Sequence, residues 1–129
     1  MSSTDMSSID EVREAIESYD TALRRHELDV VDGWFHESTQ TSRFGPTGVA
    51  YGYDEVAAGR RDPRRAPGPP VDRVEGRHEL VAVGEDVVVA TLEHHEAGDP
   101  ARLRRTQVWW RSAPGHWRIV HAHISREGE

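Results

Sequence analysis

Apolar residues near the start of the chain recur with the period of a helix. Five of them stand three or four positions apart and form one stripe: Ile9, Val12, Ile16, Tyr19 and Leu23. This spacing predicts an amphipathic helix of about four turns whose stripe faces the core. Ser8 and Glu11 fit a capping box at its start. Tyr19 lies within the stripe, so its hydroxyl is expected to point into the domain.

The next segment predicts a short helix, a short strand and a third helix. Residues 29–35 predict a short helix that is capped by Asp29. Residues 39–44 alternate as a strand that places Arg43 on its core-facing side. Gly45 and Pro46 then turn the chain, and the third helix is expected over residues 53–59.

From residue 71 onward the pattern changes to the period of a strand, in which every second residue is apolar. Turns at residues 84–86, 98–100 and 113–115 divide this part into four long antiparallel strands. The positions expected to face the helices are Val74, Leu80, Val88, Leu92, Val120 and Ile124. Helices followed by a run of strands indicate an α+β fold, with three helices packed on one face of a curved antiparallel sheet.

The length of 129 residues suits one core, so residues 1–129 are predicted to form a single domain. Residues 1–7 are small and polar and are expected to be disordered. Residues 60–70 are rich in arginine and proline and are expected to form an exposed basic loop. No side chain of that loop is predicted to be buried.

Composition excludes several classes of protein and of site. The chain has no cysteine, which excludes disulfides and thiolate metal sites. A formal net charge of −7 argues against nucleic acid as a general partner. The sequence has no long apolar run and no signal-like start, so neither a membrane span nor export is predicted. The expected setting is the cytoplasm.

Arg43 and Tyr19 are the residues to which chemistry is assigned first. A guanidinium on the core side of a strand needs a carboxylate partner, because burial of an unpaired charge is costly. The partner is either an acidic residue of the protein or a ligand carboxylate held by two hydrogen bonds. Tyr19 also has two interpretations: a core tyrosine with a satisfied hydroxyl, or a proton donor beside a cation.

Several short motifs together resemble one protein family. They are Tyr19 on the first helix, Arg43-Phe-Gly45, Tyr51-Gly-Tyr53, Gln107-Val-Trp109 and the ending over residues 115–125. From about residue 9 to residue 125 the chain resembles the AtzH-like (HpxZ-type) branch of the NTF2-like (SnoaL-like) superfamily. The resemblance implies a cone-shaped, cystatin-like fold and decarboxylating amidohydrolysis of dicarboxyurea in cyanuric acid catabolism. Residues 60–70 are more basic and proline-rich than this branch leads one to expect, which affects the rim of the pocket.

The same resemblance assigns the catalytic roles to Tyr19 and Arg43. Arg43 would anchor a carboxylate, Tyr19 would donate a proton to the departing nitrogen or order the water, and no cofactor would be required. Four further residues are candidates for contact with a small anionic N-carboxylated urea or related amide: Gln107, Trp109, Trp34 and Arg105. Two alternatives stay open: a non-catalytic module that binds a small carboxylate and assists an amidase, and a SnoaL-like cyclase or isomerase.

The histidines and the remaining large side chains give weaker signals. His121 and His123 share a strand face, but spacing places no third ligand, so no metal site is predicted. Trp110, Trp117, Ile119 and His121 are assigned to the outer face of the sheet. Large apolar side chains there would mark an interface, so a homodimer with twofold symmetry through the sheet is expected. An amidase is the other partner considered, and neither nucleic acid nor a membrane is expected.

Overall fold

The computed structural model of the protein describes residues 7–64 and 72–127. Within them the chain forms three helices: α1 (Ser8–Arg24), α2 (Leu28–Gly33) and α3 (Tyr53–Arg61). It also forms six strands: β1 (Ser42–Gly45), β2 (Gly48–Tyr51), β3 (Arg73–Ala82), β4 (Val87–Glu96), β5 (Arg102–Ala113) and β6 (His116–Glu127). The expected α+β architecture is confirmed, with the helices packed on a curved and mostly antiparallel sheet.

The strands make one sheet in the order β2-β1-β6-β5-β4-β3. Strands β3 to β6 follow one another as antiparallel neighbours, as the turn spacing predicts. The sequence does not predict that β1 pairs in parallel with β6, which brings Arg43 opposite Ala122. Because of this pairing, the β1–β2 hairpin extends the main sheet, and Arg43 lies on its inner face.

The apolar stripe of α1 lies in the core, as predicted. Val12, Ile16 and Tyr19 are all at least nine-tenths buried. The helix is capped by Ser7, whose hydroxyl accepts a hydrogen bond from the backbone N–H of Asp10 at 3.1 Å, so the capping residue is not Ser8. Ser7 therefore has a defined place in the fold. The rest of the segment expected to be disordered, residues 1–6, lies outside the described residues.

The segment expected to form a basic loop begins later than predicted. Arg60 and Arg61 form the last turn of α3 rather than the start of a loop. The Arg60 side chain is only 11% exposed, so the expectation that nothing in this segment is buried is wrong. Asp29 does not cap α2, which begins after Glu27; it pairs instead with Arg61 at 2.8 Å. Residues 65–71 of the segment lie outside the described residues.

A bulge in β6 decides which of its residues face the helices. Val108 is opposite His121 while Trp109 is opposite Ile119, so Val120 is an extra residue on β6. The extra residue reverses the alternation, because side chains in a strand change face at every position. Trp117 and Ile119 are consequently buried in the core, 3% and 0% exposed, and their assignment to the outer face is wrong.

A second bulge, between Glu75 and His78, has the same effect on β3. Val74, predicted to face the helices, is 49% exposed and lies outside the core. Val88 and Leu92 on β4 are buried as predicted. The wrong faces assigned on β6 and on β3 have the same cause, because strict alternation of side chains cannot anticipate an inserted residue. No helix in the described ranges is long and apolar enough to cross a membrane.

Candidate ligand site on the inner face of the sheet

A row of alternating alanines and polar residues crosses the inner face of the sheet. In register from β2 to β4, the row is Ala50, Arg43, Ala122, Gln107 and Ala90. The three alanines are at most 6% exposed and Gln107 is 2% exposed. Adjacent strands are about 4.8 Å apart, so the Cα atoms of Arg43 and Gln107 are separated by roughly 10 Å. Because Ala122 between them has only a methyl group, the two polar side chains face a common space.

The Arg43 guanidinium is half-buried and has no carboxylate partner within the described part of the chain. It lies against Gly45, where an added Cβ would come within 3.1 Å of its Nη1. Glycine at this position therefore makes room for the guanidinium. The lack of an internal ion pair favours the interpretation of Arg43 as a ligand-binding residue.

Tyr19 enters the same region from α1. Its side chain is 6% exposed and packs edge to face on Phe35, with ring centroids 6.1 Å apart. The Tyr19 hydroxyl makes no hydrogen bond with any of the described residues. A core tyrosine with a satisfied hydroxyl was the competing interpretation, and this geometry does not support it.

Arg60 is a site residue that the sequence reasoning missed. Its Nε lies 3.3 Å from Oδ1 of Asp32, and its guanidinium stacks over the Phe35 ring at 4.6 Å. Burial lowers the pKa of Arg60, and the Arg43 guanidinium lowers it further. The Tyr19 phenol and the Asp32 carboxylate oppose that shift. Arg60 and Tyr19 both contact the Phe35 ring, and the charge of the Arg43 guanidinium also acts on Arg60, so Arg60 links Tyr19 to Arg43.

Gln107 is oriented by its neighbour on β5. The indole N–H of Trp109 donates to Oε1 of Gln107 at 3.0 Å, which fixes the amide and leaves its NH₂ group without a described acceptor. Trp109 is 0% exposed and packs against Trp34 at 5.9 Å. Gln107 can therefore donate to a carbonyl oxygen. Trp109 and Trp34 support it by packing, and their contact with the substrate stays a prediction.

Arg105 was also expected to contact the substrate, but its guanidinium is already paired. Asp20 of α1 accepts hydrogen bonds from Nη1 and Nη2 of Arg105 at 2.8 and 3.2 Å. Both side chains are at least nine-tenths buried, and Arg73 lies 3.6 Å from the same carboxylate. Arg105 therefore joins α1 to the sheet. Burial, together with the Arg73 and Arg105 guanidinium groups, lowers the pKa of nearby His94 to about 4, so the imidazole is neutral at pH 7.

The histidines and a cleft beside α1 are the other candidates for a metal or ligand site. Among the described residues, no three histidine, aspartate or glutamate side chains are grouped so as to hold a metal ion. His121 instead hydrogen-bonds Ser42 through Nδ1 at 2.8 Å, and its ring packs on Phe44. A cleft of about 420 Å³ lies between α1 and strands β3 and β4, but its lining carries charges of both signs and contains none of Tyr19, Arg43, Arg60 or Gln107.

The matching family model and several similar solved structures agree with this architecture. The AtzH-like family model matches residues 2–129. A cystatin-like fold protein from Burkholderia xenovorans LB400 is 25% identical, with a TM-score of 0.82 over 94% of this chain and 92% of its own. A protein of the DUF3225 family from Pectobacterium atrosepticum SCRI1043 is 30% identical, with a TM-score of 0.81 over 92% and 89%.

A more distant neighbour supports the fold alone. It is an NTF2-like superfamily protein from Salmonella enterica, 22% identical, with a TM-score of 0.73 over 93% of this chain and 91% of its own. No protein of curated function matches the chain. Because the family model covers nearly every residue, the chain is a member of the AtzH-like family, and it has the NTF2-like, cystatin-like fold.

Proposed function

We propose that the protein is a small-molecule enzyme that removes carbon dioxide from an N-carboxylated urea or related amide, as a decarboxylating amidohydrolase. The observation that carries this proposal is the row on the inner face. Arg43, the Tyr19 hydroxyl and the Gln107 amide are hydrogen-bond donors that lack acceptors among the described residues. A carboxylate next to a urea carbonyl supplies acceptors for all of them. Membership of the AtzH-like family supports the same choice of chemistry.

In the proposed reaction Arg43 holds the N-carboxylate through two parallel hydrogen bonds. The Gln107 amide donates to the urea carbonyl. The bond between the carboxylate carbon and the nitrogen then breaks, its electron pair stays on the nitrogen, and the carboxylate leaves as carbon dioxide. Tyr19 gives its proton to that nitrogen and regains a proton from water. Arg60, which lies near the Tyr19 phenol, stabilises the phenolate that forms for that interval. This scheme requires no cofactor.

The function is tested by supplying a freshly prepared N-carboxylated urea and following carbon dioxide release. We expect turnover above the spontaneous rate. Arg43→Lys keeps the positive charge but loses the two-pronged donor geometry, so kcat/KM should fall by about 10- to 100-fold, the equivalent of a hydrogen bond to a charged group. Equal rates with and without protein would remove the enzymatic proposal. If the carboxylated urea still bound under those conditions, the non-catalytic binding module would replace it.

We also propose that the protein forms a homodimer through the outer face of the sheet. Trp110 and His121 remain on that face, and valines from three strands join His121 in one row: Val81, Val89 and Val108. Val81 is 57% exposed, which is unusual for a residue in a long strand with apolar neighbours. Light scattering at micromolar concentration should give twice the 14.5 kDa chain mass. Val108→Glu, in the middle of the row, should give a monomer, and a monomeric parent protein would contradict the proposal.

Two further proposals concern the biological setting, namely a partner enzyme and the cellular compartment. An amidase that consumes the decarboxylated urea is the partner that the proposed chemistry suggests, because the product retains an amide. A cytoplasmic setting is consistent with a chain of 129 residues that contains no cysteine. Both would be tested by isolating the protein from its native cells with its associated proteins.

A further inference from the structure

The inner-face site has more hydrogen-bond donors than acceptors. Three groups there donate no hydrogen bond to a described residue: the Arg43 guanidinium, the Tyr19 hydroxyl and the Gln107 amide. Arg60 adds two buried donors, Nε and Nη2, that also make no hydrogen bond to a described residue, although its Nε lies 3.3 Å from Oδ1 of Asp32. A ligand that satisfies them must supply several acceptor oxygens. One carboxylate has two oxygens, and the guanidinium of Arg43 alone can take both. The remaining donors therefore require a second acceptor group on the same ligand.

Arg60 is positioned to bind that second group. Its guanidinium is fixed by the Phe35 ring at 4.6 Å and by the Asp32 carboxylate at 3.3 Å. Neither Nε nor Nη2 makes a hydrogen bond to a described residue, although both atoms are closed off from solvent. A guanidinium whose position is fixed and whose N–H groups lack acceptors can bind an anion without reorganisation.

The charges around Arg60 do not cancel. Arg60 and Arg61 share the Asp32 carboxylate, Arg61 also pairs with the exposed Asp29, and Arg43 pairs with no carboxylate among the described residues. Arg61 is bonded to both carboxylates at 2.8 Å, so Asp32 is only partly available to Arg60. The two arginines that face the interior therefore have less than one carboxylate between them. A ligand with two anionic groups offsets this excess better than a ligand with one.

We infer that Arg60 is a second anion-binding residue of the site, and that the Arg43–Arg60 pair selects ligands with two anionic groups over ligands with one. This inference rests on the proposed function, because it assigns the second negative group of the substrate to Arg60. Within that function, Arg43 holds the carboxylate that leaves, and Arg60 holds the anionic group at the other end of the molecule.

The inference is tested with malonate and acetate as probes, by isothermal titration calorimetry on the full chain. The parent protein should bind malonate at least 10-fold more tightly than acetate. Arg60→Gln should weaken malonate binding by about 10- to 100-fold, the equivalent of a hydrogen bond between charged groups. Acetate binding should change by less than about threefold, because Arg43 remains.

Arg61→Gln is the matched control. Arg61 is the next residue of α3, bonds to the same Asp32 carboxylate and is 39% exposed, so its loss disturbs the contact between α2 and α3 without removing a donor from the interior. The ratio of malonate to acetate affinity should fall less in this variant than in Arg60→Gln, because Arg60 keeps its donors although Asp32 becomes more available to it. Where Arg60→Gln does not fold, as judged by urea unfolding, Arg60→Lys keeps the charge and should still lower the ratio by about 10-fold.

Three results would overturn the inference: equal affinities of the parent for the two probes, an unchanged ratio in Arg60→Gln, or an equal fall in Arg61→Gln. These results are independent of turnover. Loss of malonate selectivity in Arg60→Gln, with no release of carbon dioxide by the parent, would support the inference and remove the proposed reaction. Carbon dioxide release with an unchanged ratio would do the reverse.

Discussion

Tyr19→Phe should lower kcat for carbon dioxide release by about 10²- to 10⁴-fold, the usual contribution of a general acid, while KM changes little. The substitution removes one hydroxyl and keeps the ring that packs on Phe35 at 6.1 Å. Because that hydroxyl has no described hydrogen-bond partner, the free energy of unfolding should change by less than about 0.5 kcal/mol. Steady-state kinetics and urea unfolding of the same samples separate the two effects.

Tyr51→Phe is the control for this experiment. Tyr51 is 63% exposed and packs on Phe44 at 5.7 Å, away from the row that contains Arg43 and Gln107. Its kcat and KM should equal those of the parent. A Tyr19→Phe variant that turns over at the parent rate would show that the proton comes from another group, such as water ordered in the site.

Asp20→Asn should lower the free energy of unfolding by about 3 to 5 kcal/mol, the cost of leaving a buried charge without its partner. The Asp20 carboxylate accepts two hydrogen bonds from Arg105 and lies 3.6 Å from Arg73. The Arg105 side chain is only 3% exposed, so water cannot replace the lost charge. The midpoint of urea unfolding measures the effect at pH 7.

Glu93→Gln provides the comparison for Asp20→Asn. Glu93 pairs with Arg104 at 2.6 Å, but both side chains are about one-third exposed, and solvent screens such pairs, so Glu93→Gln should lower the free energy of unfolding far less than Asp20→Asn. Asp20→Leu combined with Arg105→Met should recover part of the stability lost in Asp20→Asn, since the buried Arg105 charge is removed and Arg73 keeps Glu75 at 3.9 Å. Equal losses in Asp20→Asn and Glu93→Gln would mean that the buried pair is not structural.

The elements of this fold could be predicted because each depends on local sequence. The stripe ending at Leu23 and the turns at Gly84, Gly98 and Gly115 are local signals, and all three glycines have the positive φ that such turns favour. The inserted Val120 has no local signal, because nothing in the run from Trp117 to Ile124 shows where the alternation reverses. The faces of β6 therefore could not be assigned from sequence.

The site was predicted in part for a related reason. Tyr19 and Arg43 were chosen because their residue types are unusual for core-facing positions and because they match the AtzH-like motifs. Arg105 has an equally unusual position, but only the structure shows that Asp20, eighty-five residues away, satisfies it. Arg60 was assigned to an exposed loop because residues 60–70 are rich in arginine and proline. Its spacing from Tyr53 and the buried Val56 was the signal that would have placed it on the inner side of α3.

The position of β6 between β1 and β5 has a consequence for how the chain folds as it is made. Ser42 and His121 are neighbours in the sheet although 79 residues separate them. While a ribosome is still adding β3 to β5, the β1–β2 hairpin has an unpaired edge whose backbone N–H and C=O groups can pair with other chains. Closing so long a loop also slows folding. In a nascent chain Arg43 therefore reaches its position on the inner face only after β6 has emerged, and until then the open edge of β1 favours aggregation.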